Sequence, residues 1–143
     1  MTIFYLDTSA LVKLYVEEEG SDLVRKALAE ATVVATSQVA YAEARAAFSR
    51  AFREGAMSRE DYQRTVTAFR ADWDSYLAMA VSDQVIHLAG DLTELHFLRG
   101  FDAIHLASLL ILQQRVHTPV TAACWDLRLW EAMRASGFSV LPE

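Results

Sequence analysis

Four carboxylates in this chain stand at positions where an acidic side chain needs a partner. Most of the other acids fall on polar helix faces or in turns, where water satisfies them. The four exceptions are Asp7, Glu43, Asp102 and Asp126. Side chains of this type bind hard cations, act as general acids or bases, or cap helices, so their surroundings decide between these roles.

Glu43 is the most unusual of the four, because the helix predicted to contain it offers it no partner. The residues three and four positions away are Val39, Ala40, Ala46 and Ala47, and none of them is basic. A carboxylate among small apolar side chains is costly unless it is paired or binds a metal. A functional role for Glu43 is therefore a serious hypothesis on these grounds alone.

The other three acids each have two interpretations. Asp7 follows the apolar run 3–6, Asp126 follows the apolar run 119–123, and Asp102 opens an apolar helix. An aspartate at such a position can cap the helix or interact favourably with its dipole. The carboxyl ends of strands are also where open α/β sheets bind their ligands. For each residue taken singly, both interpretations stay open.

Taken together, the four acids favour a metal site. In a doubly wound sheet all of them can project into the crevice at the carboxyl ends of the strands. Three or four carboxylates in one crevice repel each other and need a cation. Oxygen ligands without cysteine or an adjacent histidine pair indicate Mg²⁺ or Mn²⁺ rather than zinc, and such ions suit phosphate substrates.

The elements that must position these acids alternate between strands and helices. Short apolar runs predict strands near residues 3–6, 32–36, 77–81, 119–123 and 138–141. Amphipathic or apolar segments predict helices near residues 10–16, 21–31, 38–54, 58–76, 82–98, 102–114 and 126–136. This alternation predicts an α/β fold with a central, mainly parallel sheet, in a single domain that spans residues 1–143.

Two of these helices carry distinctive apolar patterns. In the segment 58–76, large side chains recur at steps of four and three residues, at Tyr62, Val66, Phe69, Trp73 and Tyr76. We interpret this stripe as core or dimer packing rather than as a cofactor site. The segment 102–114 is apolar nearly all round, so it must be covered on most sides.

Composition limits the function classes further. The net charge of −6 argues against a broad, non-specific nucleic-acid binder, although residues 45–70 hold six arginines against three acids. We interpret this local excess of positive charge first as a solvated helix surface, and second as a surface that binds phosphate groups or a partner protein. The single cysteine, Cys124, cannot form an internal disulfide. No apolar run is long enough to span a membrane and no signal peptide is evident, so a cytoplasmic location is expected.

The order and spacing of these residues resemble those of PIN-domain ribonucleases, and more narrowly the VapC toxins of type II toxin–antitoxin modules. The resemblance extends over essentially the whole chain. It is carried by the strand that ends in Asp7-Thr8-Ser9, by Tyr41-Ala42-Glu43, and by Arg99-Gly100-Phe101-Asp102-Ala103-Ile104-His105-Leu106-Ala107. It implies a three-layer α/β/α fold and a metal-dependent endoribonuclease that leaves a 5′-phosphate and a 3′-hydroxyl.

The resemblance also implies roles for particular residues. Asp7, Glu43 and Asp102 would bind Mg²⁺ or Mn²⁺, and Asp126 would be the fourth acid of the site. The family commonly has Thr or Ser two residues before that fourth acid, where this chain has Cys124. Ser9 matches the family's hydroxyl position and would orient Asp7 or a metal-bound water. Thr8 is interpreted as a local cap. His105 could form a hydrogen bond near Asp102, but it is interpreted first as a core histidine with its hydrogen bonds satisfied.

The partners implied by the resemblance are an RNA substrate, a small VapB-like antitoxin that covers the site, and a second copy of the chain in a homodimer. The main alternative is a catalytically silent PIN-like module that binds RNA or protein. A phosphoacceptor receiver domain is disfavoured because Asp7 has no acidic neighbour and the only lysines are Lys13 and Lys26. A haloacid-dehalogenase-type phosphatase would need an aspartate where Ser9 stands.

Overall fold

Five strands and seven helices make up the fold in the computed structural model, which describes residues 1–143. The strands are β1 (Ile3–Leu6), β2 (Val33–Ser37), β3 (Leu77–Met79), β4 (Val120–Ala123) and β5 (Ser139–Leu141). The helices are α1 (Thr8–Val12), α2 (Ser21–Glu30), α3 (Val39–Arg53), α4 (Arg59–Trp73), α5 (Asp83–His96), α6 (Gly100–Arg115) and α7 (Leu127–Ala135). The predicted alternation of strands and helices is confirmed.

The five strands form one parallel sheet in the order β3-β2-β1-β4-β5. β1 lies at the centre, and its four residues are all buried, which explains why its sequence is an unbroken apolar run. Leu6, the last residue of β1, is paired with Ala123, the last residue of β4. The segments that begin with Asp7 and Cys124 therefore leave the same edge of the sheet side by side.

Each face of the sheet carries its own hydrophobic core, and the fold is a three-layer α/β/α sandwich. On one face, Ile3 and Tyr5 of β1 pack in a cluster of 23 buried residues with side chains of α5, α6 and α7. On the other face, Leu6 packs in a cluster of nine buried residues with side chains of α1, α2, α3 and α4. Successive residues of β1 thus serve opposite layers, because side chains alternate along a strand.

Helix α6 has the environment that its sequence predicted. Nine of its residues are buried, and they come from all sides of the helix. A helix this apolar is stable in a water-soluble fold only when sheet and neighbouring helices cover it. No single helix is long and apolar enough to cross a membrane, and the pair α5 and α6, which passes that test only together, bends by 113° at its break.

The aromatic stripe of α4 packs in the core, which is one of the two roles predicted for it. Phe69 is fully buried and contacts the rings of Tyr15, Tyr41 and Phe48, with ring centroids 5.2 to 5.4 Å apart. These partners come from the segment after α1 and from α3. The stripe therefore joins α4 to the outer layer of the fold that also carries Glu43.

Several element boundaries differ from those predicted. Helix α1 ends at Val12 rather than at residue 16, and β3 ends at Met79 rather than at residue 81. The break before α6 falls earlier than predicted, because Phe97 adopts a left-handed conformation with φ of 55° and the helix already begins at Gly100. Asp102 therefore lies inside the first turn of α6 instead of opening the helix.

Candidate active site

Asp7 occupies the point where β1 turns into α1. One carboxylate oxygen, Oδ1, accepts a hydrogen bond from the Ala10 backbone N–H at 3.0 Å, so Asp7 is indeed the N-cap of α1. Only 3% of the residue is exposed. Burial raises the pKa of Asp7, although His105, Ser9 and the Ala10 amide oppose this. Asp7 is thus a helix cap and a buried, poorly compensated carboxylate at the same time.

Ser9 binds Asp7 and also connects the two central strand ends. Its hydroxyl lies 2.7 Å from Oδ1 and 2.9 Å from Oδ2 of Asp7, and donates to this carboxylate. The same oxygen accepts a hydrogen bond from the Trp125 backbone N–H at 2.9 Å. The contact between Ser9 and Asp7 is the one that the sequence interpretation expected. It holds the carboxylate in a single orientation relative to the segment after β4.

Glu43 finds its partners outside its own helix. Its Oε1 accepts a hydrogen bond from the Thr8 hydroxyl at 2.6 Å and lies 3.1 Å from Nε2 of His105. Burial alone would raise the pKa of Glu43, but the hydrogen bonds from His105 and Thr8 outweigh it, and the pKa is lowered. The apolar surroundings noted on α3 are therefore compensated by side chains of α1 and α6, and Glu43 is held ionised.

Asp102 and Asp126 face each other across the guanidinium of Arg99. Nε of Arg99 is 3.4 Å from Oδ2 of Asp102, and Nη2 is 3.3 Å from Oδ2 of Asp126. Asp126 also caps α7 by accepting the Leu129 backbone N–H at 3.0 Å. Burial raises the pKa of Asp102 first of all, and the negative charges of Asp126 and Asp7 raise it further against the opposing effect of Arg99.

The structure therefore brings Asp7 and Asp126 close enough to Asp102 for their negative charges to act on it, and Glu43 accepts a hydrogen bond from Thr8, the residue after Asp7. This set fits a hard cation by its donor chemistry, because every group is a carboxylate and the repulsion is only partly neutralised. As the side chains lie, however, no three His, Cys, Asp or Glu residues converge on one ion position. The only cation between two of the acids is the guanidinium of Arg99.

A cleft of about 620 Å³ opens beside these acids, between α5 and the first turns of α6. Glu43, Arg99 and Asp102 line its polar end. Ile86, Phe101 and Ile104 line the rest, and Ile86 and Phe101 are largely exposed. The site is thus a cleft with carboxylates at one end and exposed apolar side chains along the rest.

The interpretation of Thr8 as a local cap was wrong, and that of His105 as a satisfied core histidine is confirmed but incomplete. Thr8 does not cap α1, since Asp7 does, and its hydroxyl instead donates to Glu43. His105 is buried and hydrogen-bonded as expected, but one of its partners is the carboxylate of Glu43. The sequence held one sign that His105 lies near the site: it follows Asp102 by three positions and so lies on the same face of α6. Arg99 was also missed, because its two contacts are visible only in the folded chain.

Known proteins resemble this chain in sequence over most of its length. Residues 4–115 match the protein family described as the PIN domain, a range that contains Asp7, Glu43 and Asp102. Ribonuclease VapC45 and Ribonuclease VapC49, from two strains of Mycobacterium tuberculosis, are each 34% identical to the chain over 143 residues. Each alignment covers 99% of this chain and 96% of the relative.

Solved structures agree on the fold. A chain of a toxin–antitoxin complex from Klebsiella pneumoniae superposes with a TM-score of 0.68 at 13% identity, covering 99% of this chain and 96% of the other. A chain of VapBC2 from Rickettsia felis, bound to a DNA fragment from its promoter, superposes with a TM-score of 0.64 at 16% identity, with 97% of both chains covered.

Proposed function

The chain belongs to the PIN-domain family, and from that premise we propose that it is an endoribonuclease toxin of the VapC type. The relatives named Ribonuclease VapC45 and Ribonuclease VapC49 match it over almost their full length. The observation that carries the proposal is the group of four acids at one edge of the sheet, where Asp126 and Asp7 raise the pKa of Asp102. A bound cation would neutralise the repulsion between these carboxylates at neutral pH. Metal ions also assist the hydrolysis of phosphodiesters.

The proposed cofactor is Mg²⁺ or Mn²⁺. Asp7, Glu43 and Asp102 would hold the ion and Asp126 would assist, since all four offer hard oxygen ligands, Glu43 and Asp102 line the cleft, and the charges of Asp7 and Asp126 act on Asp102. When bound, the ion would polarise a phosphoryl oxygen and lower the pKa of a water molecule. Arg99 must then leave Asp102 and Asp126, and its guanidinium suits the phosphate of the substrate because a planar fork matches that group.

Ser9 and Thr8 orient the carboxylates of the site through hydrogen bonds. Ser9 donates to both oxygens of Asp7, and Thr8 donates to Oε1 of Glu43, so neither carboxylate is free to rotate. Fixed ligands favour catalysis because the chain does not have to reorganise during the reaction. In this proposal, Asp7 and Glu43 are oriented before RNA or metal arrives.

The partners belong to the same proposal. An antitoxin is supported by the VapC name of the curated relatives and by the fold, which is shared with chains of solved toxin–antitoxin complexes. We expect a VapB-like chain to cover the cleft, and two copies of this protein to form a homodimer. A cytoplasmic location follows from the substrate, since cellular RNA is found there.

The test of this function is cleavage of total RNA by the purified protein with Mg²⁺ or Mn²⁺, and its abolition by EDTA. Asp7→Asn keeps the shape of the side chain and an acceptor for the Ala10 amide, so the fold should persist. Cleavage should fall at least about a hundredfold, because even losing a partner of a metal ligand costs 10–100-fold. Asp74→Asn, at an exposed position after α4, is the matched control.

The same assay separates the enzyme from a silent binding module. A module that only binds RNA or protein would leave RNA intact with either metal, and Asp7→Asn would not change its behaviour. If toxicity in cells and RNA cleavage both persist undiminished in Asp7→Asn, the proposed catalytic site is wrong.

A further inference from the structure

A buried chain of hydrogen bonds runs from β1 through α6 to Glu43 on α3. The Tyr5 hydroxyl lies 2.9 Å from Nδ1 of His105, and Nε2 of the same ring lies 3.1 Å from Oε1 of Glu43. Tyr5 is fully buried and His105 is 1% exposed. The chain is therefore closed to water at its Tyr5 end and reaches the proposed active site at its Glu43 end.

The direction of the hydrogen bonds follows from Tyr5. Its hydroxyl lies 2.9 Å from Nδ1 of His105, its partner with good hydrogen-bond geometry, and a phenol removed from water must donate its proton to avoid a large penalty. Nδ1 is then an acceptor, and the proton of the neutral imidazole lies on Nε2, which faces Glu43.

Glu43 is held through one oxygen only. Oε1 accepts from the Thr8 hydroxyl at 2.6 Å and lies within reach of the His105 Nε2–H, while Oε2 makes no hydrogen bond to the protein. Glu43 lines the cleft next to Asp102, and 29% of its side chain is exposed. An anchored Oε1 beside a free Oε2 leaves one ligand atom in a defined place and available to a cation.

We propose that Tyr5 and His105 are positioning residues for Glu43, with Tyr5 selecting the Nε2–H tautomer that anchors the Glu43 carboxylate. This inference rests on the proposed function, because positioning matters only if Glu43 binds the metal. Partners of metal ligands fix the ligand's orientation and are worth 10–100-fold in affinity or activity. Tyr5, 100 residues away from His105 in sequence, would thus act on the site without touching substrate or metal.

A merely structural role makes a different prediction. Tyr5 and Thr8 alone would satisfy His105, since Thr8 Oγ1 lies 3.1 Å from Nε2. In that case the loss of Tyr5 would lower stability and leave metal binding unchanged. The two roles therefore separate when tautomer, metal affinity and stability are measured on the same variants.

The first experiment compares wild type with Tyr5→Phe, which removes the hydroxyl and keeps the ring in the core. Long-range ¹H–¹⁵N NMR spectra of the metal-free protein report the tautomer of His105. We expect the Nε2–H form in wild type and a mixture of both tautomers in Tyr5→Phe. We expect the affinity for Mn²⁺, measured by calorimetry, to fall about tenfold, and kcat for RNA cleavage to fall similarly with little change in KM.

The second experiment uses rescue at His105. His105→Gln keeps an N–H donor near the position of Nε2, whereas His105→Ala removes it, so glutamine should recover part of the Mn²⁺ affinity that alanine loses. Ser136→Ala is the matched control, because this hydroxyl at the end of α7 donates to the Ala132 carbonyl four residues earlier and contacts neither Tyr5, His105 nor Glu43. Its Mn²⁺ affinity should equal that of wild type.

The outcomes are distinguishable. If Tyr5→Phe keeps the wild-type tautomer and Mn²⁺ affinity, or if His105→Gln and His105→Ala lose affinity equally, the positioning role is overturned. If wild type binds no metal and cleaves no RNA, the proposed function fails and the positioning role fails with it. The tautomer spectra of the metal-free protein would in that case still show whether Tyr5 controls the ring of His105 as a structural pair.

Discussion

The thiol of Cys124 lies 3.2 Å from Oδ2 of Asp7 and joins the ends of the two central strands through a side chain. Cys124 is fully buried, and burial raises its pKa, so it stays protonated and donates to the carboxylate. By the resemblance drawn from the sequence, it stands at a position where a hydroxyl is expected. Cys124 in place of a hydroxyl residue therefore gives Asp7 a weaker hydrogen-bond donor but does not leave it without one.

Substitution of Cys124 tests this contact. Cys124→Ser should keep a donor to Asp7 and retain Mn²⁺ affinity, because a hydroxyl is the stronger donor. Cys124→Ala removes the donor, raises the pKa of Asp7 further and should weaken Mn²⁺ binding about tenfold. Calorimetric titration of both variants measures the difference. Equal affinities in the serine and alanine variants would mean that this contact does not influence the site.

The pH dependence of stability should carry the signature of the buried aspartates. The pKa values of Asp7 and Asp102 are raised from 3.8 by burial. Between 3.8 and the raised values, the native state binds more protons than the unfolded state, so their contribution to the free energy of unfolding falls as pH rises. Glu43 acts oppositely: its pKa is lowered from 4.5, so its contribution is lost as pH falls below that value.

Asp102→Asn isolates one part of this dependence. In EDTA, the variant should be more stable than wild type at neutral pH, and its stability should decline less as the pH rises above 3.8. Denaturant unfolding at a series of pH values measures both effects. Glu131→Gln, at an exposed position on α7 without an ion pair, should follow the wild-type curve. A wild-type pH slope in Asp102→Asn would contradict the assignment.

Arg99 should compete with the metal for Asp102 and Asp126. Its side chain is 81% exposed and its contacts are 3.3 to 3.4 Å long, so the pairs are worth at most about 1 kcal/mol. Arg99→Gln should leave Tm almost unchanged and raise Mn²⁺ affinity in the absence of RNA by up to about fivefold.

Arg128→Gln is the control for general charge, since Arg128 is exposed and contacts the Phe97 carbonyl rather than an acid. If both arginine variants bind Mn²⁺ equally, net charge rather than competition by Arg99 explains the change. If neither differs from wild type, the guanidinium does not obstruct the site.

Gly20 should be essential for the packing of Trp125 beside the site. It has φ of 92°, and a Cβ there would lie 2.5 Å from Cζ2 of Trp125. Gly20→Ala should lower the free energy of unfolding by about 2–4 kcal/mol, from left-handed strain and overpacking together. Gly55→Ala has φ of 78° but no neighbour within 4 Å, so it should cost only about 1–2 kcal/mol. Chemical denaturation measures both, and equal losses would exclude the clash.

The sequence alone was sufficient to predict the architecture and the four acids. Strand and helix periodicities are local, so the buried run of β1 and the apolar α6 could be recognised from residue type and spacing. The acids stood out because each occupies an apolar or strand-end position. Element ends were less predictable, as at Phe97, because it adopts a left-handed backbone conformation that residues other than glycine seldom take, and no glycine marks the position.

Only the tertiary structure decided what each acid contacts. Thr8 reaches Glu43 across 35 positions, His105 reaches it across 62, and Arg99 reaches Asp126 across 27. A spacing rule describes one helix or one strand, whereas these contacts depend on how the sheet aligns β1 with β4 and how α3 and α6 lie against it. The chain's local chemistry therefore determined which side chains could form a site, and the register of the parallel sheet determined which of them meet.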